Sequence, residues 1–413
     1  MIRGRGLEPN RWYAPPSGMG AFWLCRGADG NVGRPGRNPP EKALPKYTLL
    51  VGSDAFMAAA AADMAEAQRR VLVQAMTFEG DAAGRAVAGA VMASSAGDRR
   101  VLVDDYTRFV VSDHFVYSPH NIFDPDVRAE VRATRGMFDD LSKTGVGVRV
   151  TNPAGPLLLG FAFRNHKKLI VSDNAAYLGG INFSDHNFAW HDLMLRIEDA
   201  RISDLLAADF DSTFAGRPRP WRAVLGDIAL SGLDGRDNQG GFAEVLGAIA
   251  AAEREICVIS PYLTAPFTPA LAAAAARGVT VRLITPLANN KPTVRDYLVW
   301  LAAKSGFELK LTREMIHLKS LLIDGRRLVL GSSNFDFVSY RTQEEIVAII
   351  SNEELIADFR ARVLEPMLAD ALPADAAPRP GRRGARAAAL LGAADAVLGW
   401  RLPIRRTSVP WTS

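Results

Sequence analysis

The chain is poor in cysteine: 413 residues carry only Cys25 and Cys257. A disulfide framework is therefore excluded, and a reducing compartment is compatible. Histidine is nearly as scarce, with six in all: His114, His120, His166, His186, His191 and His317. None of them forms a His-x3-His pair, and the cysteines stand far apart, so no zinc centre of common spacing is expected. No metal and no cofactor is called for. Long apolar runs are also missing. The best candidate near an end, Ala387–Trp400, is broken by Asp395 and falls well short of the roughly 20 residues of a membrane span. Met1–Pro16 carries Arg3, Arg5 and Arg11 and few apolar residues, which is not the pattern of a signal peptide. The expected protein is soluble or peripheral. Neither sign of charge dominates, with 49 Lys and Arg against 45 Asp and Glu and a net charge of +4. Such mild basicity suits anionic lipid and nucleic acid equally.

What the chain does have is a duplicated motif. Residues 166–173 read His-Lys-Lys-Leu-Ile-Val-Ser-Asp and residues 317–324 read His-Leu-Lys-Ser-Leu-Leu-Ile-Asp. Both are His-x-Lys-x4-Asp, giving His166, Lys168 and Asp173, then His317, Lys319 and Asp324. Each is followed by small residues and an asparagine: Gly179-Gly180-Ile181-Asn182 and Gly331-Ser332-Ser333-Asn334. Alternation predicts a strand in which His and Lys project from one face, while Lys167 and Leu318 face away. The pair resembles the two motifs of the phospholipase D superfamily, in which two halves of one chain build a single phosphodiester-processing site.

That resemblance implies a chemistry these side chains suit. Lys168 and Lys319 would hold phosphoryl oxygens as point charges. One histidine would attack phosphorus and form a phosphohistidine, and the other would protonate the leaving alkoxide, then act as base for the incoming hydroxyl. The halves are near-symmetric, so either histidine can be the nucleophile, with His166 the first choice. Asn182, Asn334 and Ser332 are expected to bind substrate. Asp173 and Asp324 complete the catalytic motifs, but lie past the apolar run, where they should brace turns rather than touch phosphate.

The coarse reading is α/β. Helical patterns at 55–70, 82–94 and 137–143 alternate with strands at 71–78, 100–104 and 147–151. The second half repeats this with helices at 242–254, 271–277 and 292–305 and strands at 255–260, 279–284 and 307–311. Two phospholipase D-like α-β-α sandwich halves, related by a pseudo-two-fold, are expected. The expected segments are an irregular arm at 1–46, halves at 47–222 and 223–366, and a basic amphipathic tail at 367–413. That tail, with Arg382, Arg383, Arg386, Arg401, Arg405 and Arg406 beside Trp400 and Trp411, would lie on an anionic membrane.

Within the superfamily the chain resembles the bacterial cardiolipin synthase group. The matching residues are Trp190 and Asp192 with Arg196-Ile197, Ser260-Pro261-Tyr262, Arg277-Gly278-Val279, and Gly331-Ser332-Ser333-Asn334 with Asp336, Ser339 and Glu345. The resemblance implies Asp192 and Glu345 as the acids that orient the histidines, with the pairing left open. It implies a phosphatidyltransferase acting on phospholipids, phosphatidylglycerol foremost, with phospholipase D hydrolysis when water is the acceptor. It also implies a cytoplasmic, peripheral place on the inner face of the bacterial cell membrane. A nuclease of the same superfamily is the second reading. Nucleic acid is not the expected partner, because no basic stripe with interleaved aromatics runs through the core.

Overall fold

Hydrophobic residues in strands that are covered on both faces should sort by parity into two different cores. In the computed structural model they do. It describes residues 44–412 apart from 156–157, 159, 237, 379–380 and 401–405. The first half contains β1 (Lys46–Val51), α1 (Ser53–Glu66), β2 (Arg70–Ala75), α2 (Ala82–Ala93), β3 (Asp98–Asp104), a hairpin of β4 (Val110–Val111) and β5 (His114–Phe115), α3 (Pro125–Lys143), β6 (Gly147–Thr151), β7 (Leu169–Val171), β8 (Ala175–Gly179), α4 (Asp185–Phe188), β9 (Leu193–Glu198) and α5 (Ala200–Phe214). The second contains β10 (Trp221–Leu225), β11 (Ile228–Asp234), α6 (Ala243–Ala250), β12 (Glu255–Ile259), α7 (Phe267–Ala276), β13 (Thr280–Pro286), α8 (Pro292–Ser305), β14 (Glu308–Thr312), β15 (Ser320–Ile323), β16 (Arg327–Gly331), α9 (Phe337–Thr342), β17 (Glu344–Ile350) and α10 (Glu353–Phe359). After it come α11 (Glu365–Asp370), β18 (Leu372–Pro373), α12 (Gly381–Leu398) and β19 (Ser408–Pro410).

The strands form two mixed sheets. One runs β1-β9-β8-β7-β2-β3-β6-β19, the other β10-β11-β17-β16-β15-β12-β13-β14-β18. Leaving out β10, the two orders match strand for strand, which is the duplication expected. In each, three parallel strands (β2-β3-β6 and β12-β13-β14) continue into an antiparallel meander that starts with the motif strand, β7 or β15.

Parity then builds the layers. On β2, Leu72 points to a central core while Val71, Val73 and Ala75 point to an outer one. On β12, Cys257 and Ile259 join the same central core, and Ile256 and Val258 a second outer core. The central layer holds residues of both sheets together with Ile202, Leu206 and Phe210 of α5 and Leu355, Ile356 and Phe359 of α10. Both sheets thus share one buried seam, each fully buried aliphatic or aromatic side chain in it contributing about 1.5–3 kcal/mol. Helix ends follow local chemistry. Asp81, Asp124 and Asp199 cap α2, α3 and α5 by accepting from the first-turn amides. Gly306, at φ 71°, closes α8 in the left-handed conformation.

Two expectations need correction. The motif strands are shorter than the alternation suggested: β7 starts at Leu169 and β15 at Ser320, so the His-x-Lys segments precede the ladders. The segment at 367–413 is not a free tail. Helix α12 packs on α8, where Gly384 meets Trp300 so closely that a Cβ would lie 2.3 Å from the Trp300 Cβ. Strand β19 joins the first sheet beside β6, and Trp411 packs on Phe138 with ring centroids 4.6 Å apart. Arg406 is 2% exposed, so it is not available to a membrane, and Trp411 is half-buried against the first half. Arg401 and Arg405 lie outside the described residues, as does the arm up to residue 43. No described helix is long and apolar enough to cross a membrane.

Lys167 and Leu318 do turn away from the motif face, into very different surroundings. Leu318 joins the central core. Lys167 is fully buried and pairs with Asp209 of α5 at 2.7 Å, and Asp209 also accepts from the Trp221 indole at 2.7 Å. Lys167→Met would strand the Asp209 charge in the interior, and should cost about 3–5 kcal/mol in denaturant unfolding. Lys167→Met with Asp209→Leu, which removes both charges, should recover part of that loss.

Candidate active site

The two motif segments cross from one half to the other. The His166 amide donates to the Glu344 carbonyl at 2.9 Å, and the His317 amide to the His191 carbonyl at 2.8 Å. These bridges set each histidine beside an acid of the opposite repeat. His166 Nδ1 lies 3.0 Å from Glu345 Oε1, and His317 Nδ1 lies 2.8 Å from Asp192 Oδ2. The pairing that the sequence left open is therefore crossed: first-half His with second-half Glu, second-half His with first-half Asp. With Nδ1 occupied by a carboxylate, Nε2 is the ring nitrogen left for chemistry.

Both histidines line one cleft of about 150 Å³, walled by Thr77, Asn182, Trp190, Tyr262, Asn334 and Gln343 among others. The Trp190 ring lies 5.4 Å from that of His317. Asn182 accepts from the Thr77 amide at 3.3 Å, while Asn334 Oδ1 is buried with no protein partner. The cleft thus holds two ring nitrogens and two amides, a set able to surround a phosphoryl group.

Lys168 and Lys319 sit beneath the histidines. Each donates back to the carbonyl of its own motif histidine, Lys168 at 2.7 Å and Lys319 in a short contact. Burial lowers the Lys168 ammonium to about 7 and Lys319 to about 8, against the attraction of Glu345 and Asp192. Burial likewise lowers His166 to about 4 and His317 to about 3, the neighbouring lysines adding to the effect. Burial works to raise the Glu345 carboxyl. His166, Lys168 and the Ser332 hydroxyl outweigh it and hold the group below its usual range.

Ser332 needs correction: its hydroxyl is committed to Glu345, so it braces the acid rather than meeting substrate. Ser339 adds a second hydroxyl to Glu345 at 2.8 Å. On the other side the place of Ser332 is taken by Gly180, where a Cβ would come within 2.4 Å of both Asp192 oxygens. Asp173 and Asp324, grouped by sequence with the catalytic residues, stand apart from the cleft. Asp173 accepts from the amides of Gln68, Arg69 and Arg70, and Asp324 from those of Glu253, Arg254 and Glu255. The reason is directional. Each motif strand runs antiparallel to β2 or β12, so its histidine sits at the carboxyl end of that neighbour and its aspartate at the amino end. Sequence reading missed Glu79 and Asn290 in the cleft wall. Glu79 follows β2 as Tyr262 follows β12, and loops after parallel strands are where ligands bind in α/β sheets; that was the available signal.

Duplicated mixed sheets sharing one seam, with a histidine from each repeat facing one cleft, define the phospholipase D superfamily. The chain belongs to the family described as cardiolipin synthase, PLD-like domain, which matches residues 61–214 and 245–365. It is 26% identical over 365 residues to cardiolipin synthase A of Pseudomonas syringae pv. syringae, covering 81% of this chain and 70% of that protein. It is 27% identical over 272 residues to a cardiolipin synthase of Listeria welshimeri, covering 57% of this chain and 55% of the relative. The chain thus matches little more than half the length of the Listeria proteins. The phosphatidylserine synthase structure from Haemophilus influenzae Rd KW20 shares the fold, with a TM-score of 0.64 at 15% identity over 86% of this chain and 95% of that one.

Gly180→Ala should push Asp192 away from His317 without changing any polar group of the site. A misplacement of this size costs up to about 100-fold in kcat. Steady-state kinetics on the soluble variant checks it, and Ser332→Ala, which removes one of two hydroxyls from Glu345, should cost less.

Proposed function

We propose that this protein is a phosphatidyltransferase of the cardiolipin synthase type, acting on phospholipids through a phosphohistidine. The crossed histidine–carboxylate pairs opening on one cleft carry this reading. One neutral histidine, His166 or His317, attacks phosphorus through Nε2. The bond from phosphorus to the departing alcohol breaks, and the opposite imidazolium gives that alkoxide its proton. The same imidazole then takes the proton of an incoming hydroxyl, which attacks the phosphohistidine and frees the first histidine. A glycerol hydroxyl of phosphatidylglycerol as acceptor gives cardiolipin; water gives phosphatidic acid.

Burial favours the parts each group plays. It drives both imidazoles toward neutrality in the empty site, as the nucleophile requires, and the negative charge of a bound phosphodiester lets the opposite imidazole, beside its carboxylate, take up the proton it then donates. It leaves Lys168 and Lys319 poorly solvated, so a phosphoryl anion replaces the water they lack and strengthens their charge. Glu345 and Asp192 stabilise whichever imidazolium forms. Asn182 and Asn334 supply amide donors to the phosphoryl oxygens.

The lipid enters this reading through the relatives' names and through the surface. Tyr117, Ile122 and Phe123, with Phe123 79% exposed, stand on the segment whose Tyr106, Val110 and Asp113 wall the cleft. On α12, Leu390 and Val397 are exposed, as are Arg382, Arg383 and Arg386, and Trp400 just beyond its end is exposed too. These fit a peripheral protein on an anionic bilayer such as the inner face of a bacterial cell membrane.

His166→Ala and His317→Ala should each abolish turnover while the fold persists by circular dichroism. Mass spectrometry of mixed phosphatidylglycerol and phosphatidylethanolamine vesicles should show cardiolipin with the intact chain only. Phosphatidic acid alone would make it a hydrolase, and DNA cleavage without any lipid product would make it a nuclease.

The sign of the pH dependence follows from the site. The charged lysines hold the anion, so kcat/KM should fall as pH rises through about 7 to 8. The attacking histidine must be neutral, so kcat/KM should also fall as pH drops through about 4 if His166 attacks, or about 3 if His317 does. A pH–rate profile of the free enzyme reads both limbs.

A further inference from the structure

Taking the catalytic reading of His166 as given, we propose that Arg406, carried by the segment that ends in β19, is the residue that positions His166 for reaction. The argument starts at Glu344. This residue is fixed at three points. Its carbonyl accepts from the His166 amide at 2.9 Å, its amide donates to the Arg164 carbonyl at 3.0 Å, and its carboxylate accepts from Asn152 Nδ2 at 2.8 Å. The next residue is Glu345, which holds His166 Nδ1. Wherever residue 344 sits, both the main chain and the ring of His166 must follow.

The Glu344 carboxylate is 1% exposed, and a buried charge without a partner is costly. Arg406 supplies the partner. Its Nη1 lies 3.8 Å from Glu344 Oε1, and its Nη2 donates to the carbonyls of Gly235, at 2.9 Å, and Thr342. The fit is close: a Cβ on Gly235, which stands at φ 70°, would come within 1.9 Å of Arg406 Nη2. The guanidinium also lies over the Phe163 ring, 5.6 Å from its centroid. Asp234, Asp104, Arg164 and Lys167 are the further charges around the pair. Arg406 therefore reaches elements of both halves from a segment that belongs to neither repeat.

The rest of that segment anchors it to the first half. The Thr407 carbonyl accepts from the amide of Asn152, the same residue that holds Glu344. Ser408–Pro410 pairs with β6, and the Trp411 indole donates to Asp139 at 3.0 Å. The other catalytic histidine has no such device. Its bridging carbonyl belongs to His191, an exposed residue that forms no ion pair among the described residues. The influence of Arg406 should therefore fall on His166 and spare His317.

The test uses the full chain labelled with 15N-histidine, in which only six imidazoles contribute. The His166 Nδ1–H resonance is assigned by its loss in His166→Gln, and the His317 resonance by its loss in His317→Gln. In Arg406→Met the His166 resonance should shift or exchange away while that of His317 holds. Arg406→Lys should fall between. The double variant Arg406→Met with Glu344→Gln, which removes the stranded carboxylate, should bring the resonance back toward its original position. On vesicles the single variant should lose roughly tenfold or more in kcat with KM little changed, as for a misplaced group. A folded Arg406→Met with an unmoved His166 resonance overturns the proposal, and so does a folded double variant that restores neither resonance nor kcat. A wild-type chain that turns over no phospholipid would overturn the transferase reading alone, because the resonance reports on His166 whatever the substrate.

Discussion

Everything at the cleft depends on one arrangement: each histidine takes its carboxylate from the other repeat. A His–carboxylate pair within one repeat would have let each half carry a complete site. Crossing makes the seam between the sheets part of the chemistry. The apolar side chains of both sheets, with α5 and α10 between them, set the distance across which His166 meets Glu345 and His317 meets Asp192. Packing and function share the same coordinates here, because a tightly packed interior passes displacement on rather than absorbing it.

The charges of the site are buried, and burial explains their behaviour in a consistent way. Desolvation disfavours whichever form is charged, so imidazoles and ammonium groups are all driven towards neutrality. Glu345 resists the same pressure, because His166, Lys168 and two serine hydroxyls surround it. The two sides are not identical. Glu345 is braced by hydroxyls, whereas Asp192 has a glycine beside it and accepts the Leu193 amide at 2.8 Å. The pseudo-two-fold thus relates backbones more closely than it relates the environments of the two acids.

Much of this was legible in the sequence because it is carried by local patterns. Paired His-x-Lys-x4-Asp segments, apolar runs such as Leu169-Ile170-Val171, and turn residues at the strand ends are readable without tertiary information. The alternation of elements gave the layered α/β reading, and α8 was read at its observed bounds. What was illegible depends on long-range geometry. Which acid meets which histidine is decided by the crossing of the segments, not by spacing. Ser332 was grouped with Asn334 as a substrate ligand, but its hydroxyl is taken by Glu345 from across the sheet, a contact no local pattern shows. The segment after residue 367 read as a basic amphipathic tail because Arg406 is indistinguishable in composition from Arg382. Only the fold buries one and exposes the other.

The crossed pairs also bear on how the protein is made. Synthesis runs from the amino terminus, so His166 leaves the ribosome long before Glu345, and Asp192 long before His317. The nascent first half can pair its parallel strands early, yet it presents an imidazole without its carboxylate and a sheet whose β6 edge lacks β19. Unpaired edges and exposed seams are the features that make partly synthesised chains sticky. The same delay means that a fragment released early carries neither completed pair.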